Sequence, residues 1–147
     1  QEPLSRISRH EDTNGDGVYD KSTVFIDKLL LPRMVLPLDD RVMVGITNTL
    51  DLWNYRDTDC DGVADEKVKV FEGGRRGGNM EHQPSGLVWN LDNWIYITYQ
   101  NVRYRYTNGE FKTERLPRGG GQWGLTQDDD GRLYYSCILY TSRSPRD

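Results

Sequence analysis

One nine-residue pattern occurs twice, and its repetition limits the fold more than any other feature. Asp-Thr-Asn-Gly-Asp-Gly-Val-Tyr-Asp occupies residues 12–20, and Asp-Thr-Asp-Cys-Asp-Gly-Val-Ala-Asp occupies residues 57–65, 45 residues further on. A chain that repeats at such an interval is built from supersecondary units that each need a neighbour to bury their faces. Between and after these loops the residues alternate with period two, and no amphipathic helical run stands out. Residues 41–46 alternate after an Asp39-Asp40 turn. Segments 86–91 and 94–99 flank Asp92-Asn93, which predicts a two-residue hairpin turn. Segments 102–106 and 110–116 flank Asn108-Gly109, the strongest hairpin signal in the chain. Segments 123–127 and 132–136 flank an Asp-rich turn ending at Gly131. The composition agrees, with 15 Gly for turns and 4 Trp, 9 Tyr and 3 Phe that suit strands.

The hairpins repeat one another. Leu-Pro-Leu-Asp-Asp-Arg-Val-Met-Val begins at Leu36, Leu-Val-Trp-Asn-Leu-Asp-Asn-Trp-Ile-Tyr-Ile at Leu87, and Leu-Thr-Gln-Asp-Asp-Asp-Gly-Arg-Leu-Tyr-Tyr at Leu125, so that Asp39, Asp92 and Asp130 align. Several short strands in a repeat of about 40–50 residues predict an all-β partial β-propeller. At roughly 45 residues a blade, the chain holds about three blades of antiparallel strands. Ring closure takes about 4–8 blades, so the expectation is a fragment of a larger ring. A small β-sandwich is the plain alternative. Residues 1–136 carry the pattern, whereas residues 137–147 continue none of it and read as a non-native, adapter-like tail.

The net charge of −4 leaves no basic excess to neutralise phosphates, which argues against nucleic acid as a partner. No apolar run reaches the roughly 20 residues of a membrane span, and no signal-peptide pattern is present in the segment. Cys60 and Cys137 form no C-x-x-C motif, so this stretch encodes neither a zinc knuckle nor a covalent haem site.

In the acidic loops, oxygen side chains at positions 1, 3, 5 and 9, a carbonyl at 7 and Gly at 6 follow the ligand order of a calcium loop. The candidate ligands are Asp12, Asn14, Asp16 and Asp20, then Asp57, Asp59, Asp61 and Asp65, with the carbonyls of Val18 and Val63. Position 12, a bidentate Glu in EF-hands, is Thr23 in one loop and Val68 in the other, so these are not EF-hands. The competing reading is an Asp/Gly-rich turn capped by its own side chains and holding no metal. Of the two histidines, His10 reads as a solvated surface residue. His82 lies just before a hairpin, where a propeller's connecting loops line the central channel, and a neutral imidazole there can abstract a proton. Its plain alternative is a histidine bonded to turn backbone.

The segment Glu-His-Gln-Pro-Ser-Gly-Leu at residues 81–87, with the Leu-Asp-Asn-Trp-Ile-Tyr-Ile-Thr that follows, resembles the active-site blade of soluble quinoprotein sugar dehydrogenases. Those are six-bladed propellers that use pyrroloquinoline quinone and calcium. The resemblance implies His82 as the general base, while Arg118 and Gln122, in Arg-Gly-Gly-Gly-Gln-Trp-Gly-Leu, match positions that hold the quinone. This chain carries an extra Pro84, has Leu87 where that family has Arg, and reads Tyr99-Gln100-Asn101 where the family has an acidic residue.

Across nearly the whole chain to Tyr135, the segments 6–20, 24–33, 57–65, 81–96 and 121–135 are similar to another group. These are the propeller domains of large haem-binding proteins of planctomycete and verrucomicrobial type, described as membrane-bound dehydrogenases or sorbosone dehydrogenase-like. That likeness implies an extracytoplasmic (periplasmic or cell-surface) protein and a sugar or alcohol substrate. It also implies electron transfer to a c-type haem domain outside this segment. A non-catalytic, calcium-braced propeller module that binds a glycan or protein is the alternative function.

Overall fold

The computed structural model describes residues 2–117 and 121–136. The chain is all-β. The described residues form twelve strands joined by turns, and a single 3-10 turn at Met80–His82 is the one helical element among them. No helix there is long and apolar enough to cross a membrane. The chain divides into two compact units, Gln1–Gln83 and Pro84–Asp147.

The first unit opens with a hairpin of β1 (Ser5–Glu11) and β2 (Lys21–Leu29). A four-stranded antiparallel meander follows, made of β3 (Pro32–Leu38), β4 (Arg41–Ile46), β5 (Leu52–Arg56) and β6 (Glu66–Phe71). The hairpin and the end of the meander have one register. Glu11 faces Lys21, Arg9 faces Thr23 and Ile7 faces Ile26. Forty-five residues on, Arg56 faces Glu66, Asn54 faces Val68 and Leu52 faces Phe71. Even the irregularity falls at the same place, between Ile7 and Ser8 and between Leu52 and Trp53. β1–β2 therefore repeats the third and fourth strands of the meander. The two pieces share a core in which Phe25, Ile26 and Leu29 pack with Val44 and Tyr55. β5 is buried on both faces, which hides the alternation that marks a half-buried strand.

The second unit repeats the plan. β7 (Gly86–Trp89), β8 (Ile95–Ile97), β9 (Val102–Thr107) and β10 (Glu110–Arg115) form an antiparallel meander, and β11 (Trp123–Gln127) pairs with β12 (Leu133–Ser136). Asn108 and Gly109 both adopt positive φ, at 52° and 79°, as a two-residue hairpin turn requires. The Asp92-Asn93 turn departs from the two-residue expectation. Asn90 N–H donates to the Trp94 carbonyl and Asn93 N–H to the Asn90 carbonyl, so the loop comprises Leu91, Asp92 and Asn93. Asn93 sits at φ 64°, the left-handed position that closes a three-residue hairpin loop. The turn between β11 and β12 is built alike, from Asp129, Asp130 and Gly131, with Gly131 at φ 78°. Asn90 joins the two turns by donating to the Gly131 carbonyl at 2.9 Å.

The aligned aspartates each lie in a hairpin turn, Asp39 between β3 and β4, Asp92 between β7 and β8, and Asp130 between β11 and β12. The first acidic loop joins β1 to β2 and the second joins β5 to β6. The tail at 137–147 and its Cys137 lie outside the described residues.

Candidate acidic loops and histidine turn

The two acidic loops share one hydrogen-bonding scheme. Asp12 accepts the N–H groups of Gly15 and Gly17, both at 2.7 Å, and of Asn14 and Asp16 at 3.3 Å. Asp57 accepts those of Asp61 at 3.2 Å and Gly62 at 2.9 Å. At position 3, Asn14 and Asp59 each accept the N–H of position 5. At position 5, Asp16 and Asp61 accept the N–H groups of Val18 and Val63. These bonds wind the backbone around the side-chain oxygens. The Gly17 N–H, followed by those of Gly15, Asp16 and Asn14, holds the Asp12 carboxyl below the usual aspartate range.

The ninth residue of each loop is hydrogen-bonded to the second. Asp20 accepts both the N–H of Thr13 at 2.9 Å and its hydroxyl at 2.6 Å. Asp65 accepts the same two donors from Thr58. The threonine hydroxyl is the largest influence lowering the pKa of each carboxyl. Thr13 and Thr58 are thus the clasps that close the loops. The recurrence of Thr at the second position of both copies is the sequence signal that could have found them. Among the described residues, Asp57, Asp59 and Asp61 each offer a carboxylate oxygen, and these oxygens lie within 4.8 Å of one another. In the first loop, Asn14 donates its amide to Asp16 at 3.1 Å, which leaves the amide carbonyl as its acceptor.

The second loop is seated on the first hairpin. Ala64 N–H donates to the Phe25 carbonyl at 2.9 Å, and Gly62, at φ 94°, lies close enough to Thr23 that a Cβ would stand 3.3 Å from its methyl. Cys60 is exposed and adopts φ 65° where the first loop has Gly15 at φ 79°.

His82 ends the 3-10 turn and is exposed. Asn79 caps that turn by accepting the Glu81 N–H, and its carbonyl takes the N–H of His82. Two arginines hold the turn from the meander side. Arg33 donates to the Met80 carbonyl and Arg76 to the His82 carbonyl. The imidazole is thus carried on a fixed backbone at the protein surface, while the next residue, Gln83, is fully buried. Sequence reading placed His82 in the connection leading to β7 and missed Asn79, Arg33 and Arg76. Arg33 lies 47 positions from its partner, beyond the reach of any local pattern.

Gln122 is half-buried just before β11, with its N–H on the Ser136 carbonyl at 2.8 Å. Arg118 lies outside the described residues. His82 belongs to the first unit and Gln122 to the second.

No curated protein and no solved structure matches the chain. Residues 1–138 match the family model described as "Domain of unknown function (DUF7133)", and the chain belongs to that family.

Proposed function

We propose that the chain is part of a calcium-braced β-propeller of the sugar or alcohol dehydrogenase type, with His82 as its general base. The observation that carries this reading is the exact repetition of register at 45 residues, with the acidic loops recurring on one turn of each repeat. In a propeller each four-stranded blade covers its neighbour. The packing of Phe25, Ile26 and Leu29 of β2 on Val44 and Tyr55 supports this reading.

Calcium suits the acidic loops. Two oxygens bound to one Ca²⁺ at about 2.3–2.6 Å lie no more than roughly 5 Å apart. The carboxylates of Asp57, Asp59 and Asp61 meet that limit. In the first loop the matching donors are Asp12, the Asn14 carbonyl and Asp16, with the carbonyls of Val18 and Val63 completing the two sets. Asp20 and Asp65 act as clasps beside the ion. The role is to brace a loop, since exposed ions on outer turns have no reaction to serve.

For the chemistry, the connection from a last strand to the next first strand opens on the channel of a propeller, and His82 rides that connection. A neutral imidazole there takes the proton of a substrate hydroxyl as the carbon is oxidised. Pyrroloquinoline quinone, when bound, supplies the hydride acceptor. The described residues do not assemble a cradle for it. Of the two residues that the resemblance assigns to the quinone, Gln122 is the one among the described residues. An extracytoplasmic protein that passes electrons to a c-type haem domain fits this reading.

The test uses the natural open reading frame that contains this segment. The account expects a saturable absorbance change on titration with the quinone and calcium, and sugar- or alcohol-dependent dye reduction. A second reading, a non-catalytic calcium-braced module for a glycan or protein partner, is favoured by the duplication of the acidic loops, which the single histidine turn does not share. It expects calcium-dependent stability with no quinone response.

A further inference from the structure

The chain contains two Asn-Gly steps, Asn14-Gly15 in the first acidic loop and Asn108-Gly109 at the tip of the β9–β10 hairpin. Each follows a threonine and precedes an acidic residue, so Thr-Asn-Gly-Asp and Thr-Asn-Gly-Glu are almost the same local sequence. At such a step an asparagine closes readily on the next backbone nitrogen, because glycine has no side chain to obstruct the approach and leaves the backbone free to turn. The Gly nitrogen loses its proton and bonds to the Asn Cγ, the Cγ–Nδ2 bond breaks, and ammonia leaves. Water then opens the resulting succinimide at either carbonyl, which gives aspartate or isoaspartate. Water enters and ammonia departs, with no change of oxidation state.

Exposure does not separate the two sites, since Asn14, Gly15, Asn108 and Gly109 are all exposed. Nor does space, since a Cβ at either glycine would meet nothing within 4 Å. Hydrogen bonding does. Gly15 N–H donates to Asp12 Oδ1 at 2.7 Å, and a carboxylate at that distance opposes the loss of the proton. The Asn14 carboxamide is held at both ends by one residue. Its Nδ2 donates to Asp16 Oδ2 at 3.1 Å, and its Oδ1 accepts the Asp16 N–H at 2.9 Å. Its Cγ cannot swing onto the Gly15 nitrogen without breaking these bonds. Gly17 N–H, on Asp12 Oδ2 at 2.7 Å, holds the loop shut around them. At the hairpin tip, among the described residues, no hydrogen bond holds the Asn108 carboxamide or the Gly109 N–H. Closing the ring there asks only the two tip residues to turn, because the ladder already begins at Thr107 and Glu110.

We propose that Asn108 is the site at which this chain deamidates, while the first acidic loop protects Asn14 through Asp12 and Asp16. The two products at Asn108 differ in consequence. Aspartate keeps an Asp-Gly pair, which suits the same two-residue turn. Isoaspartate adds a methylene to the backbone of that turn and disturbs the pairing of Thr107 with Glu110. At Asn14 the aspartate product would carry the residue type that Asp59 has in the second loop, so the bonds that shield Asn14 keep the two loops chemically different. The proposal rests on neither the calcium nor the dehydrogenase reading.

Ageing of the 147-residue chain in mildly alkaline buffer with EDTA tests it. Peptide mass spectrometry reads the gain in mass where oxygen replaces the amide nitrogen, at both sites of the same molecules, and chromatography separates the isoaspartyl from the aspartyl product. Hydrogen bonding to a charged acceptor makes Asn14 about 10–100-fold slower than Asn108 in the folded chain. In urea the shared local sequence brings the two rates together. D12N raises the rate at Asn14 towards that of Asn108, which serves as the reference within each molecule. The comparison of folded with urea-unfolded chain needs no substitution and stands if D12N does not fold. Equal rates at the two sites of the folded chain, faster loss at Asn14, or a difference that persists in urea overturns the proposal. So does a folded D12N in which Asn14 is as slow as in the unaltered chain.

Discussion

Asp20 closes the first acidic loop by accepting both the amide and the hydroxyl of Thr13, at 2.9 and 2.6 Å. Asp65 does the same with Thr58. Each carboxyl is held below its usual pKa, first by the threonine hydroxyl. A carboxyl lowered by folding contributes stability that is complete above its unfolded pKa and is lost as pH falls through the folded one. The chain should therefore lose stability below about pH 4. Asp20→Asn and Asp65→Asn should each flatten that acid limb. Thermal melts between pH 6 and pH 2 check it, and identical acid limbs in the variants would remove the clasps from the account.

Calcium should raise the melting temperature, with about 2.7 kcal/mol of added stability at a hundredfold excess over Kd. EDTA should reverse the shift, and Asp57→Asn with Asp61→Asn should lose the share belonging to the second loop. Calorimetry with and without the ion reads this directly. A chain whose melting ignores calcium has loops that are self-capped turns.

Cys60 occupies a left-handed backbone position that Gly15 fills in the first loop. A residue with a Cβ is strained there by about 1–2 kcal/mol, against which glycine loses more entropy on folding. Cys60→Gly should stabilise the chain by a net of about 0.5–1 kcal/mol. Denaturant melts of the reduced protein would show it, and a destabilised variant would mean that the thiol has contacts that outweigh the strain.

Asn90 binds Gly131 through its amide and the Leu91 N–H through its carbonyl, at 2.9 and 2.6 Å, and is nearly buried. Asn90→Ala removes both bonds and should cost about 1–3 kcal/mol. Gly131→Ala should destabilise too, because its Cβ would stand 2.8 Å from the Asn90 oxygen at a φ of 78°. Urea denaturation measures both, and an unchanged midpoint in either variant would contradict the packing of these turns.

The hairpins were legible because Asn108-Gly109, Asp92-Asn93 and the Asp-rich turn are local signals with local causes. The loop of Leu91, Asp92 and Asn93 came out one residue longer than read, since Asn93 rather than a turn-pair glycine takes the left-handed position. The strands beside the acidic loops were not read as strands. β5 is buried on both faces, and β6 mixes Glu66, Lys67 and Lys69 with Val68 on an exposed face, so neither shows a clean period. Loop spacing located the aspartates, yet only the fold separates Asp20 and Asp65 from Asp57, Asp59 and Asp61. Of the two arginines that bond the His82 turn, Arg33 comes from a strand 47 positions away and no short pattern announces it, whereas Arg76 lies only six residues before His82.

The most direct measurement of the central claim is turnover by the natural protein that carries this segment, loaded with quinone and calcium, with and without His82. The account predicts sugar- or alcohol-dependent dye reduction that falls about 10²–10⁴-fold in His82→Ala while the calcium-dependent melting is unchanged. Equal rates in the two proteins, or no turnover in a protein that binds the quinone, would contradict it.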